Sequence, residues 1–366
     1  MGISEKIDEI MLEMNRTQKN KATEYHLGLL KAKLARYRAE LLEPEKKSKA
    51  GEGFDVSKAG YGRVALIGFP SVGKSTLLSK LTNTESSAAS YEFTTLTAIP
   101  GVLEIDGAKV QLLDLPGIVE GASSGRGRGR QVIAVAKTAD LVLMMLDVTK
   151  GPNQRRLLEI ELEAVGLRLN QTRPDVILKP KTAGGITINN TVPLTKIDAR
   201  SIQGVLGAYK MHNMDVMIRE DITTDQFVDV VLGNRKYVPC LYCYNKIDAV
   251  SLEEVDRIAR EPNTVVISCQ ADLNLDTLLK RIWQGIGLNR VYTKKRGERP
   301  DLGDPLIVKK DATIEQVCNS IHRSLSLKFK YALVWGKSSK FAPQPQKVGL
   351  QHVCAADDVV TICTKV

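Results

Sequence analysis

Long apolar runs are missing from this sequence: the best of them, Leu141–Leu146, is strand length, against the roughly 18–20 residues that span a bilayer. Met1–Lys6 has no apolar leader core, and Lys6 stands where a myristoylation signal wants Ser or Thr. The expectation is a soluble protein of the cytosol or nucleus with no membrane partner. Cysteine is sparse as well. Of the six, Cys240 and Cys243 have C-x-x-C spacing, but no second cysteine or histidine pair follows at zinc spacing. Lying in the apolar run Val238–Tyr244, the pair reads as reduced core thiols on a buried strand, with a metal or redox pair as the alternative. His212 reads as a surface or satisfied core residue rather than a catalyst.

What is present is a chain of 366 residues, enough for two or three domains, with a net charge of +10. The charge is uneven: residues 290–366 hold 14 Lys/Arg against 7 Asp/Glu, so the C-terminal part is expected to meet a polyanion. The first 60 residues are nearly balanced, with 12 basic and 10 acidic.

The most informative stretch is Gly68-Phe69-Pro70-Ser71-Val72-Gly73-Lys74-Ser75-Thr76. It follows the apolar run Val64–Ile67 and precedes Leu77–Leu81. The order is strand, loop, helix, and the loop fits G-x-x-x-x-G-K-[ST]. Its glycines let successive backbone N–H groups converge on phosphate oxygens at the positive end of a helix. Lys74 is expected at the β- and γ-phosphates and Ser75 on Mg²⁺. About 20 residues on, Ser90–Thr97 places Phe93, Thr94 and Thr95 where a switch loop needs a threonine for Mg²⁺ and the γ-phosphate. Thr95 is the first choice and Thr94 the near alternative.

The strand-like Val110–Leu113 delivers Asp114-Leu115-Pro116-Gly117, a D-x-x-G arrangement in which Asp114 holds the Mg²⁺ shell and the Gly117 N–H meets the γ-phosphate. Lys74, Thr95 and Gly117 are thus the candidate catalytic groups. Ile118 stands where many GTPases use a glutamine to orient the attacking water, so the water-positioning group must come from elsewhere. Arg126, Arg128 and Arg130 alternate with glycine just beyond. One of them reads as a transition-state finger in cis, as a contact to RNA phosphates, or as part of a solvated switch.

Asn245-Lys246-Ile247-Asp248 follows the strand Cys240–Tyr244. Asp248 has the acceptors for guanine N1–H and the 2-amino group, which adenine cannot match, and this favours GTP over ATP. Asn245 supports N7 and the loop, the Lys246 stem lies over the base, and Ser268-Cys269 after Thr264–Ile267 offers the Cys269 N–H to guanine O6. Around this core, residues 1–60 read as an amphipathic helical hairpin and linker. Residues 61–168 and 234–290 read as the two parts of an α/β nucleotide domain, 169–233 as an inserted α+β subdomain, and 291–366 as a small α+β module. In that module Leu306–Val308, Tyr331–Trp335 and Val359–Cys363 are expected as strands and Thr313–Leu325 as one helix.

With these residues in view, the chain resembles the developmentally regulated GTP-binding proteins of the Obg-like group, closest to the second of their two eukaryotic types. The matching strings are Arg16–Thr23, His26–Leu30, Gly51–Asp55, Gly68–Ser75, Tyr91–Thr97, Asp114–Gly121, Gly127–Val135 and Phe329–Gly336, with Met1–Ile3 and Tyr292–Gly297 resembling the second type. The resemblance implies a P-loop GTPase domain with a family insert, an N-terminal helical hairpin and a C-terminal TGS domain of β-grasp form. It implies slow GTP hydrolysis with Mg²⁺, ribosome or ribosomal RNA association and a dedicated regulatory partner protein. Ile118 fits the family's apolar residue at the glutamine position. Potassium-stimulated relatives usually carry asparagine where this chain has Ser71, which counts against K⁺ as an activator. The reading is therefore a GTP-hydrolysing molecular switch; its rival is a nucleotide-sensing scaffold in which hydrolysis is incidental.

Overall fold

The computed structural model describes residues 3–18, 20, 23–42, 60–82, 100–105, 107–115 and 136–364. The chain forms two compact units, one of Met1–Asp55, Pro116–Thr138 and Pro152–Pro239, the other of Val56–Leu115, Ala139–Gly151 and Cys240–Val366.

In the first unit the hairpin comprises α1 (Ile3–Arg16) and α2 (Glu24–Leu42). In the second unit six strands build one sheet: β1 (Gly62–Gly68), β2 (Pro100–Ile105), β3 (Ala108–Asp114), β4 (Leu141–Asp147), β5 (Cys240–Asn245) and β6 (Thr264–Val266). Their spatial order is β6-β5-β4-β1-β3-β2, all pairs parallel except the antiparallel edge pair β2 and β3. Both β1 and β4 are buried along their whole length, which is why they read as unbroken apolar runs rather than as alternation. Helices α3 (Lys74–Leu81), α4 (Leu252–Ala259) and α5 (Leu275–Ile286) follow β1, β5 and β6.

The same unit holds a second sheet, ordered β8-β7-β11-β9-β10, from β7 (Leu288–Thr293), β8 (Leu306–Lys309), β9 (Phe329–Trp335), β10 (Gln346–Val348) and β11 (Asp358–Thr364). Helix α6 (Ile314–Ile321) packs on it through Ile314, Val317 and Cys318, the crossing expected of a β-grasp. The single helix expected over Thr313–Leu325 is broken: His322 is extended (φ −163°, ψ 135°) and caps a second short helix, α7 (Arg323–Leu327), its Nδ1 accepting the Ser324 N–H at 3.1 Å. The two sheets of this unit share apolar packing. Strand β7 begins directly after Gly287, and Leu288 and Ile307 are buried in the same cluster as Leu66, Leu143 and Ile282 of the nucleotide sheet. The strand therefore crosses the 290/291 boundary expected from sequence.

The first unit also contains α8 (Asn153–Ala164), a short parallel pair Leu167–Leu169 with Lys236–Val238, and a three-stranded sheet with two helices. In that sheet Met214–Ile218 lies between Val176–Pro180, antiparallel to it, and Ile186–Asn190, parallel to it; the helices are α9 (Ala199–Ala208) and α10 (Thr224–Leu232). Read from sequence as separate pieces, hairpin and insert share one core. Leu30 of α2 is buried, as are Ile7 and Ile10 of α1, while Ala32 is buried and Ala35 packed in the cluster of Ile202, Leu206, Val216 and Phe227. Tyr209 donates its hydroxyl to the Ala32 carbonyl at 2.9 Å, and Lys31 pairs with Asp225 at 2.6 Å. Gly204 lies against the Tyr25 ring. Among the described residues, no helix is long and apolar enough to cross a membrane.

Candidate nucleotide site

The carboxyl ends of β1, β3, β4 and β5 bring Gly68, Asp114, Asp147 and Asn245 to one edge of the nucleotide sheet, the edge at which parallel α/β sheets bind ligands. The loop from Phe69 to Gly73 turns there into α3. Two of its residues have left-handed backbone, Ser71 (φ 64°) and Gly73 (φ 98°). At Gly73 the reason is visible: a Cβ would sit 2.4 Å from Asn245 Nδ2. Gly68 is equally constrained, since a Cβ would lie 2.5 Å from the Met145 carbonyl oxygen.

Lys74 folds its amine back over the loop, donating to the carbonyl oxygens of Gly68 and Phe69 at 2.9 and 3.0 Å. Burial pushes its pKa down, opposed by Asp114. Burial pushes Asp114 up, opposed by Lys74, and among the described residues Asp114 Oδ1 is buried with no hydrogen-bond partner. An orphaned carboxylate oxygen beside the phosphate loop is what a divalent cation and its water shell would satisfy, so the residues present fit Mg²⁺. Ser75 and Thr76 are exposed in the first turn of α3, Val72 is buried, and Pro70 is exposed. Leu115 is buried, its N–H donating to the Leu66 carbonyl at 3.1 Å.

Asn245 ties the site together. Its Nδ2 donates to the Val72 carbonyl at 2.9 Å and its Oδ1 accepts the Cys269 N–H at 3.0 Å, so one buried amide joins the phosphate loop to the loop after β6. The Cys269 N–H, offered to guanine O6 by the sequence reading, is therefore directed at Asn245. Ser268 donates its hydroxyl to Asp248 Oδ1 and accepts the Ala271 N–H at 3.1 Å, which fixes an otherwise exposed carboxylate. Lys246, at φ 69°, donates its amine to Asp147 Oδ2 at 2.6 Å.

Asp147 is the residue sequence reasoning missed. Burial alone would raise its pKa, but hydrogen bonds from Lys246 and from both the hydroxyl and N–H of Thr149 outweigh it and hold the carboxyl below its ordinary value. The available signal was positional, because Asp147 ends β4 in register with Asn245. Phe93, Thr94, Thr95, Pro116, Gly117, Ile118, Arg126, Arg128 and Arg130 lie outside the described residues. Cys240 and Cys243 are buried on β5, with the Cys243 thiol pushed well up by burial.

Three family models together match most of residues 63–364. A "50S ribosome-binding GTPase" model covers residues 63–179, the C-terminal region of the same domain 183–288, and a TGS domain 289–364. The chain is 63% identical over 366 residues to developmentally-regulated GTP-binding protein 2 of Mus musculus, covering all of both chains. It is 64% identical over the same full length to GTP-binding protein 1 of Schizosaccharomyces pombe and 58% to the Dictyostelium discoideum homologue. A phosphate loop, a partnerless carboxylate oxygen beside it and a β-grasp module meet full-length identity of this order, and the chain belongs to the developmentally regulated GTP-binding proteins.

Proposed function

We propose that this GTPase-family chain is a cytoplasmic molecular switch that binds GTP, hydrolyses it slowly and acts on ribosomes or ribosomal RNA, together with a regulatory partner protein. The observation that carries the reading is the meeting of three groups at one sheet edge: the folded-back Lys74 amine, the orphaned Asp114 oxygen and the Asn245 amide that joins the phosphate and base loops. The ribosomal part rests on the description of the matching family model and on the basic C-terminal segment.

In this reading the N–H groups of Gly68–Thr76 cradle the phosphates, and Lys74 exchanges two loop carbonyls for phosphate oxygens. Ser75, Asp114 and Thr95, or Thr94 in its place, hold Mg²⁺, which neutralises charge on the phosphates when bound. The Gly117 N–H meets the γ-phosphate, and Phe93, Leu115 and Pro116 belong with it to the nucleotide-binding set. Asp248, steadied by Ser268, accepts from the guanine edge, while Asn245, Lys246 and Cys269 frame the ring. With Ile118 unable to orient water, a ribosome or partner completes the catalytic set.

Single-turnover GTP hydrolysis by the purified chain, with and without ribosomes, in Na⁺ and in K⁺, tests this. The expected intrinsic rate is on the order of 10⁻⁴ to 10⁻² s⁻¹, as for GTPases lacking a supplied catalytic group. Ribosomes should raise it, and Na⁺ and K⁺ should give equal rates, given Ser71. A rate near zero throughout, despite tight GTP binding, would replace the switch by the scaffold.

A further inference from the structure

A cavity of about 550 Å³ opens within the first unit, walled by α2, α8 and α10 and by residues Arg168 and Arg235. Its volume falls in the range of about 300–1,000 Å³ typical of small-ligand pockets. Asp229, 4% exposed, holds two arginines at once. Arg168 grips it as a fork, Nε and Nη2 donating at 2.5 and 2.8 Å, and Arg235 donates from Nε alone at 3.1 Å. One carboxylate against two guanidinium groups leaves a positive surplus.

That surplus sits on Arg235. Its side chain is 6% exposed and lines the cavity, and among the described residues its guanidinium makes no hydrogen bond but the one from Nε, which leaves Nη1 and Nη2 for a ligand. Gly166 makes room for it: at φ +92° it lacks the Cβ that would lie 2.5 Å from Nη1. Arg38 of α2 lines the same cavity, and its side-chain hydrogen bond among the described residues is a long 3.9 Å contact to Met11 Sδ. Burial lowers the pKa of Arg38 and of Arg235; Glu161 opposes this at Arg38 and Asp229 at Arg235, while Arg235 lowers Arg38 further and Arg168 lowers Arg235. The facing carboxylates Glu163 and Asp225 do not close the balance: with Asp229 they make three, against the five cations Lys31, Arg38, Arg168, Lys196 and Arg235 on the same wall.

Cations with unspent donors at a partly dry wall are costly, and an anion that accepts those donors removes the cost. A phosphoryl group matches the planar guanidinium fork better than a spherical anion does. We propose that this cavity binds a small phosphorylated anion through the Nη groups of Arg235 and through Arg38, as a second anion site in the unit that does not carry the phosphate loop.

The test uses the full chain saturated with GDP and Mg²⁺, so that the phosphate loop is filled. Inorganic pyrophosphate is titrated calorimetrically at constant ionic strength and constant free Mg²⁺, with GDP affinity measured in the same samples. Saturable binding is expected, weakened at least about fivefold by Arg38→Gln through loss of one charge-assisted contact. Glu163→Gln, which removes an opposing charge from the wall, should tighten it, and both variants should keep the GDP affinity of the parent. Absence of saturable binding, displacement of GDP by pyrophosphate, or affinities that neither substitution moves would overturn the proposal. GDP binding reports separately on the nucleotide site, so failure here does not touch the switch reading.

Discussion

Asn245 Nδ2 donates to the carbonyl oxygen of Val72 at 2.9 Å, a bond between residues 173 positions apart that fastens the phosphate loop to the end of β5. The same amide leans on Gly73, where a Cβ would lie 2.4 Å from Nδ2. Asn245→Ala strips partners from the buried Val72 carbonyl and the Cys269 N–H, a loss of about 2–3 kcal/mol over two buried bonds. The expected outcome is a lower melting temperature together with GDP affinity reduced by more than about tenfold, since both loops lose their shared anchor. Equal nucleotide affinity in the variant would show that the loops are set independently.

Asp248 is fixed by Ser268, and in the proposed reading its remaining acceptor capacity meets the guanine edge. Asp248→Asn presents an N–H where guanine presents its own donors, so GDP affinity should fall by about 100-fold or more. Xanthosine diphosphate, whose base carries a carbonyl in place of the 2-amino group, should bind the variant better than GDP does. A competition assay with the two nucleotides reads both effects.

In the pH dependence of stability the bond from Lys246 to Asp147 carries a definite sign. The folded carboxyl titrates below its ordinary value, so its contribution is complete above the unfolded carboxylate pKa of about 3.9 and disappears as pH falls through the lower folded value. Asp147→Asn should therefore cost about 1.5–3 kcal/mol at neutral pH, the range for a hydrogen bond to a charged group, and progressively less below pH about 4. Urea denaturation of both proteins across that window tests it; a difference that persists unchanged to the acid end would contradict the assignment.

Two glycines of α9 should respond oppositely to the same change. At Gly204 an alanine methyl would sit 2.6 Å from the Tyr25 ring, so Gly204→Ala should destabilise by about 1–3 kcal/mol through overpacking between hairpin and insert. At Gly207 nothing among the described residues lies within 4 Å of an added Cβ, and Gly207→Ala should stabilise by about 0.5–1 kcal/mol through backbone entropy. Thermal melts of the two variants give the comparison.

The nucleotide sheet was legible because its buried strands leave short apolar runs, unbroken over Val64–Ile67 and Leu141–Leu146 and interrupted by Gln111 in β3, and Gly68, Asp114 and Asn245 end β1, β3 and β5. The partnership of hairpin and insert was not. Helix α2 packs on two sides, through Leu30 towards α1 and through Ala32 and Ala35 towards the insert, and small residues add nothing to an apolar stripe. Asp147 escaped notice because a strand-terminal aspartate looks like many others until its register beside Asn245 is known. The break at His322 was hidden for a related reason: Ile314, Val317, Ile321 and Leu325 keep helical spacing across it, while the interruption is made by a local bond from the Ser324 N–H to the histidine ring.

Leu288 and Ile307 belong to the β-grasp sheet by hydrogen bonding and to the nucleotide sheet's core by packing. Two sheets that share a core should lose it together. Opening the nucleotide sheet would expose the first strand of its neighbour, and cutting the chain before Leu288 would leave apolar surface on the part retained. Global amide exchange in β1 and β7 is thus expected to proceed with one common free energy of opening, making the C-terminal module a member of the same cooperative folding unit rather than a tethered appendage.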